Sequence, residues 1–257
     1  MSESMEITHP AWSAFKVRVN NRLAQHLPTA PFKLRNSGPM VSFTFDDAPI
    51  SAVSVGAAML EEYQARGTYY IAGGLADSWS GHWTNIGAGD IVGLHRRGHE
   101  IACHTFSHVR APDLTAAAMA AEIEKNRHYL LALDPSIKIE NFAYPYGLAS
   151  ISRKRQFGKT FRSSRGIMPG VNRGTVDLQC LRATPLVDQH LDGDGIERAF
   201  DEAIASNGWL IFYGHDVTAA PSPYGCSPSL LRHALDAASR RHIPILTVAD
   251  ALRQAGA

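Results

Sequence analysis

The chain has 257 residues, and its 25 Lys+Arg against 24 Asp+Glu leave a formal net charge of +1, which excludes a dedicated nucleic-acid binder and a polybasic membrane anchor. With 45% hydrophobic and 19% charged residues, the composition supports a sizeable core and rules out a disordered chain. Three cysteines beside twelve histidines exclude a disulfide scaffold and point to histidine chemistry.

Residues 1–10 mix acids with Ser, His and Pro and lack the basic-then-apolar order of a secretory signal. The longest apolar runs, such as 209–213, are far shorter than a membrane span. A cytoplasmic location is expected, unless a processed start conceals an export signal. Residues 12–25 suit a basic amphipathic helix inside an N-terminal extension over 1–38, expected to pack on the domain that follows. Residues 41–45 alternate and are β-prone, 53–65 read as a helix stopped by Gly67, and 68–71 as a second strand. Asp90 suits an N-cap for a helix ending at Gly98, followed by a strand at 99–103. Asp113 then caps a helix over 114–133, rich in Ala, Glu and Leu, which lose little side-chain entropy in helices. A strand at 139–144, a short basic helix from Ser150 to Gly158, and strands at 161–164 and 178–183 come next. A helix over 194–205 leads into the apolar strand 209–213. Ser227-Pro228 opens a helix to Arg241, and a strand at 244–246 and a helix at 248–254 complete the pattern. No repeat period or low-complexity tract interrupts it. Alternating β and α segments imply an α/β fold with a parallel sheet or barrel.

The distinctive polar residues fall where these strands end. Asp46 and Asp47 end the first, His104 and His108 follow 99–103, Pro145-Tyr146-Gly147 follows 139–144, and His215 follows 209–213. The C-terminal strand ends of α/β barrels carry the active site, so four sequence-distant groups are expected to meet. His104 and His108, spaced i,i+4, can join a carboxylate in holding zinc or a similar divalent ion, with a position left for water. Taken singly, neither signal decides: such histidines also occupy helix surfaces or cores, and Asp-Asp before Ala48-Pro49 also caps a turn. Trp79 and Trp83 lie in a long loop over 73–90 and suit either stacking on a ring or pinning the loop to the core. His82 and His95, in or near that loop, are candidates for the cleft border. Cys103 reads as a buried small hydrophobe, and Cys226, beyond His215, as a candidate for the pocket lining.

Thr44-Phe45-Asp46-Asp47-Ala48-Pro49, Gly98-His99-Glu100-Ile101 with His104-Thr105-Phe106-Ser107-His108, Phe142-Ala143-Tyr144-Pro145-Tyr146-Gly147 and Trp209-Leu210-Ile211-Phe212-Tyr213-Gly214-His215 stand in this order. Together they resemble the motifs of the polysaccharide deacetylases, the fourth family of carbohydrate esterases, which includes the nodulation-type (NodB-homology) deacetylases. The resemblance runs from about Val41 to Ala251. It implies a distorted (β/α) barrel of about seven parallel strands, with 39–257 as one catalytic domain. It also implies a site in which Asp47, His104 and His108 hold one divalent ion, with zinc first and cobalt, nickel, manganese or iron as alternatives. Asp46 would be the general base, the Tyr146 backbone N–H with Pro145 would serve the oxyanion and substrate, and His215 would protonate the leaving amine. The expected substrate is an N-acetylated sugar in an oligo- or polysaccharide, giving acetate and a free amine. A related amide hydrolase acting on an N-formyl sugar or a cyclic ureide, and a non-catalytic glycan-binding homologue, remain as alternatives.

Two departures from the family pattern stand out. Members commonly carry an arginine beside the base where this chain has Ala143; without a cation the pKa of Asp46 would rise, and Arg165 is the candidate replacement. The family's Asp-Trp pair that orients the catalytic histidine has no clear counterpart. Asp177 and Arg182 lie in about the right region for that supporting role, which a catalytic imidazole needs to fix its tautomer.

Overall fold

In the computed structural model, which describes residues 11–257 and side chains from residue 17 onward, helix α1 (Ala11–His26) leads to a short strand β1 (Pro31–Lys33) and then to β2 (Met40–Asp46). All seven β2 residues are buried, as a central parallel strand covered on both faces requires. Pairing outward from it come β3 (Thr68–Ile71), β4 (Glu100–Cys103), β5 (Asn141–Ala143) and β6 (Ser163–Arg165). β7 (Thr175–Asp177) leaves this sheet and pairs antiparallel with β1, while β8 (Thr184–Pro185) and β9 (Trp209–Gly214) extend the other side. The resulting order is β6-β5-β4-β3-β2-β9-β8, seven strands, parallel in every pairing. Although β6 and β2 are separated by three strands, Arg165 of β6 reaches Asp46 of β2. The sheet therefore curls around its own interior, giving the distorted (β/α) barrel that the sequence implies.

Helices α2 (Ala58–Glu62), α3 (Ala88–Arg96), α4 (Ala116–Leu133), α5 (Ile151–Phe157), α6 (Gly193–Ala205), α7 (Pro228–Arg240) and α8 (Val248–Gln254) follow the strands. Several boundaries differ from expectation for local reasons. The helix expected over 53–65 begins as a π-helical stretch, Ala52–Ala57, and ends at Gln64 in a left-handed conformation (φ 56°) before Gly67 is reached. Gly87, not Asp90, is the N-cap of α3; Asp90 stands at the third helical position, its carboxylate accepting from the Gly87 N–H. Thr115 caps α4 in place of Asp113, because Ala111–Asp113 forms a separate 3-10 turn around Pro112. The expected strand 178–183 is a bend in which Leu181 makes one bridge to Arg165, and 244–246 contributes one bridge, Ile245 to Val41. Short apolar runs there pack into the core without a neighbour to form a ladder with.

Alternate residues of the barrel strands point inward, and the lower interior is polar. Glu100 accepts from Asn141 Nδ2 (2.6 Å), Thr68 Oγ1 (2.9 Å) and the backbone N–H of Ala249 at the start of α8 (2.9 Å). Ser163 Oγ donates to Asn141 Oδ1 (2.8 Å), and Val248 N–H donates to Thr68 Oγ1 (2.9 Å). Glu100, Thr68, Asn141 and Ser163 thus all have partners, which keeps this part of the interior from being a liability. The start of α8 closes the barrel floor. On the outside, α1 lies along α5: Asn21 Oδ1 accepts from Ala149 N–H (2.9 Å), and the buried Lys154 ammonium donates to the Ala24 and Leu27 carbonyls. Among the described residues, no helix is long and apolar enough to cross a membrane.

His99 links the start of β4 to its neighbours as a neutral ring. Its Nδ1 accepts from Gly67 N–H (3.0 Å), so Nε2 carries the proton it donates to Glu61 Oε1 (2.8 Å). Burial pushes its pKa below the usual 6.5. The unfolded chain therefore binds the extra proton first, and His99 contributes stability that is present above pH 6.5 and lost as pH falls through the folded pKa. Chemical denaturation across that window is expected to show a slope that His99→Gln reduces, since the amide can keep both hydrogen bonds without titrating.

Candidate active site

Two adjacent carboxylates at the top of β2 face different surroundings. Asp46 keeps the inward direction of the strand, whereas Asp47 and Ala48 are both left-handed (φ 59° and 53°) and turn the chain sharply. Asp46 meets the Arg165 guanidinium, which is completely buried. The Arg165 carbon Cζ lies 5.0 Å from the Tyr70 ring and 5.1 Å from the Tyr213 ring, so two aromatic faces hold the cation. Burial pushes the Asp46 carboxyl up, but the charge and hydrogen bond of the Arg165 guanidinium outweigh it and hold the pKa below the ordinary carboxylate value.

Asp47 faces two imidazoles instead. His104 follows β4, and its Nδ1 donates to the Ala143 carbonyl (2.9 Å), leaving Nε2 directed at Asp47 Oδ1, 3.8 Å away. His108 Nε2 lies 3.4 Å from the same oxygen. The two histidines span a turn, with Thr105 and His108 both left-handed (φ 61° and 51°), so their spacing is set by a turn and not by a helix. Burial pushes the His104 pKa down to about 3 and lowers that of His108, so both rings are neutral near pH 7, the form a metal ligand requires. Burial also raises Asp47 to about 6. One donor atom from each of the three lies within 4.8 Å of the others, and Asp47 Oδ1 is buried with no hydrogen-bond partner. An unpartnered buried carboxylate oxygen facing two neutral imidazoles fits a divalent cation in both charge and donor type.

These groups form the floor of a cleft of about 700 Å³, within the size range of small-molecule sites. Tyr146 stands exposed at its rim, with its ring 4.6 Å from that of His108 and its backbone left-handed (φ 58°). Pro145 is buried behind it and opens the 3-10 turn Pro145–Gly147. At Gly147 (φ 65°) a Cβ would lie 2.2 Å from Ile167, so the turn needs glycine for both conformation and space. His215 lies just past β9 on the opposite side. Its Nδ1 is 3.2 Å from the Tyr224 carbonyl, and its ring is 5.1 Å from that of Trp83.

The sheet register explains how Arg165 stands in for an arginine at position 143. Ala143 and Arg165 are Cα partners on the adjacent strands β5 and β6. The cation enters the same interior from one strand over, and the small Ala143 side chain leaves room for it. Asp177 and Arg182 are not brought to His215. Asp177 lies in the outer β1–β7 ribbon, pairs with Lys154 and accepts from Ala30 N–H (3.0 Å), while Arg182 donates to the Pro169 carbonyl (2.9 Å). Of the loop residues, His82 and Trp83 line the cleft, whereas His95 is bonded to Ser136 elsewhere and Trp79 is exposed. Cys226 is buried outside the cleft lining. Sequence reasoning missed Tyr70, Tyr213 and Tyr224. Tyr213 could have been found from its place two residues before His215, but the Tyr224 carbonyl has no side-chain signature.

Residues 33–159 match the family model described as polysaccharide deacetylase. This segment belongs to the polysaccharide deacetylase family. The deacetylase fold continues beyond it, as solved structures cover most of the chain. The chitin deacetylase of the fungal pathogen Colletotrichum lindemuthianum matches with a TM-score of 0.62 at 16% identity, over 85% of this chain and 89% of that one. A family 4 carbohydrate esterase from Streptomyces lividans, solved in complex with acetate, gives 0.56 at 17%, over 81% and 91%. PdaA of Bacillus subtilis, also a family 4 carbohydrate esterase, gives 0.59 at 11%, over 95% and 90%. At these identities the likeness establishes the fold. No curated protein matches the chain.

The two aspartates can be told apart by test. Asp47→Ala is expected to abolish stoichiometric zinc binding, measured as metal content after chelation and reloading, while Asp46→Asn retains it. Equal loss in both variants would contradict the separate surroundings of the two carboxylates.

Proposed function

We propose that this chain is a metal-dependent amide hydrolase that removes N-acetyl groups from an amino sugar in an oligo- or polysaccharide. The observation that carries this reading is the placement of an Arg165-held Asp46 beside an unpartnered Asp47 that faces two neutral histidines. Adjacent carboxylates with opposite pKa shifts suit different roles. Asp47, His104 and His108 would hold one divalent ion, zinc being the first choice for this donor set. When bound, such an ion brings water toward neutral pKa and polarises an amide carbonyl.

Asp46 then takes the proton of the attacking water, a task for which an ionised, fixed carboxylate is suited. The Tyr146 backbone N–H donates to the oxygen on which charge develops, with Pro145 fixing the turn. His215 delivers a proton from Nε2 to the departing nitrogen while its Nδ1–H rests on the Tyr224 carbonyl. Hydroxide adds to the acyl carbon, the C–N bond breaks, and the nitrogen leaves with a proton as the free amine beside acetate. For the substrate class, the cleft walls supply the argument: Trp83, Tyr146, Tyr213 and Tyr224 line it, and neither lysine nor arginine does among the described residues. Aromatic faces stack on sugar rings, and the lack of cations favours an uncharged glycan over one bearing phosphate at the site.

Acetate release by the zinc-loaded protein from chitooligosaccharides or poly-N-acetylglucosamine is the expected outcome. Formate release, or turnover of cyclic ureides alone, would move the activity to another amide, and no turnover with any of them would favour glycan binding without catalysis. Arg165→Met touches none of the three metal donors. It is expected to leave metal content intact and to lower kcat by about 100-fold, the scale of lost general-base assistance. A wild-type kcat in this variant would remove Arg165 from the support of Asp46.

A further inference from the structure

An imidazole that delivers a proton from Nε2 works best when an acceptor fixes its Nδ1–H. At His215 that acceptor is a neutral main-chain carbonyl, that of Tyr224. Tyr224 is exposed and lies between β9 and α7, in a stretch with no regular strand or helix to hold it. Besides single bonds from Asp188 N–H to the Gly225 carbonyl (3.2 Å) and from Thr218 N–H to the Cys226 carbonyl (3.1 Å), what holds the loop is the residue next to His215. Asp216 is buried (4% exposed), and its carboxylate faces the loop, not the imidazole. Oδ2 accepts from Ser222 N–H (2.8 Å) and Oδ1 from Ser222 Oγ–H (2.6 Å). The Asp216 main-chain carbonyl accepts from Cys226 N–H (2.9 Å), and within the loop Tyr224 N–H donates to Ser222 Oγ (3.1 Å). Both ends of the segment 222–226 are thus tied to one residue, with Tyr224 in the middle. The fit is close: a Cβ on Gly225 would lie 2.2 Å from Asp216 Oδ1 and 2.6 Å from its carbonyl oxygen.

We propose that Asp216 is a positioning residue for His215, acting through the Ser222–Cys226 loop to seat the Tyr224 carbonyl on Nδ1. Its negative charge is used on backbone and hydroxyl donors, and the imidazole receives only the carbonyl dipole. This arrangement supplies the orienting function for which Asp177 and Arg182 were candidates. Trp83 confines the ring from the side, and its own Nε1–H is anchored on Asn85 Oδ1 (2.9 Å). The inference rests on the acid role assigned to His215.

The test uses the full, zinc-loaded chain and two readouts. Nitrogen-15 NMR at alkaline pH, where histidines are neutral, is expected to show His215 as the Nδ1–H tautomer in the wild type. Asp216→Asn replaces an acceptor by a donor facing Ser222, and Gly225→Ala drives a methyl group against the Asp216 carboxylate; both are expected to erase that preference. In both, kcat should fall about 10- to 100-fold, as for lost partners of functional histidines, with KM and metal content unchanged. Ser222→Ala should reproduce part of the loss and Ser222→Thr, which keeps both donors, should restore it. If Asp216→Asn does not fold, Gly225→Ala and the Ser222 pair decide. A wild-type tautomer and kcat in Gly225→Ala and Ser222→Ala would overturn the proposal, as would losses confined to KM. A wild-type Nδ1–H tautomer that the variants abolish, in a protein without amidase activity, would instead leave the clamp standing and overturn the deacetylase reading.

Discussion

The ion pair between Arg165 and Asp46 is the constraint on which the site is built. It joins two strands that are not neighbours, so it forms only once the sheet has curled. Two carboxylates adjacent in sequence and taken out of water would otherwise resist joint ionisation, because desolvation and mutual repulsion both favour the protonated forms. The guanidinium settles that conflict for one of them. Its own desolvation is offset by the carboxylate, by the Gly166 carbonyl (3.0 Å) and by the faces of Tyr70 and Tyr213. Asp47 is left as the second carboxylate, its Oδ1 buried without a partner, the circumstance that makes its surroundings suited to a cation.

Backbone conformation completes what side-chain identity begins. Asp47, Ala48, Thr105, His108 and Tyr146 all adopt left-handed conformations without being glycine, at the ends of three different strands. Such conformations cost free energy and persist where surrounding packing fixes them. Here they point successive residues in divergent directions. Asp46 enters the barrel to meet Arg165, while Asp47, past the strand end, turns to His104 and His108.

Much of this was legible in the sequence, because strand ends in α/β folds gather functional groups and four ordered motifs marked those ends. The β2, β3, β9 and α8 segments lie close to where alternation, apolar runs and capping residues place them. Arg165 was legible as a candidate because a buried base without a cation leaves a charge to be accounted for. Its register opposite Ala143 was not, since register depends on how the sheet curls. The support of His215 was hidden for a different reason: a carbonyl donates nothing to residue identity, and Asp177, the obvious carboxylate, is held by Lys154 on an outer ribbon. Single-bridge contacts at Leu181 and Ile245 show the same limit, as apolar composition does not say whether a ladder partner exists.

The closing of the barrel floor by α8 bears on the order in which the molecule can assemble. The central strand β2 pairs with β9, about 170 residues later in the chain, and the carboxylate of Glu100 receives one of its donors from Ala249, 149 residues further on. Long-range closures of this kind slow folding, since loop entropy is lost before the contacts are gained. A chain emerging from the ribosome therefore carries this acid at the base of a half-formed barrel, short of one of its donors, until α8 is made. Helix α8 acts as the stopper of the vessel, and the permanence of the interior depends on a segment made long after the strands it closes.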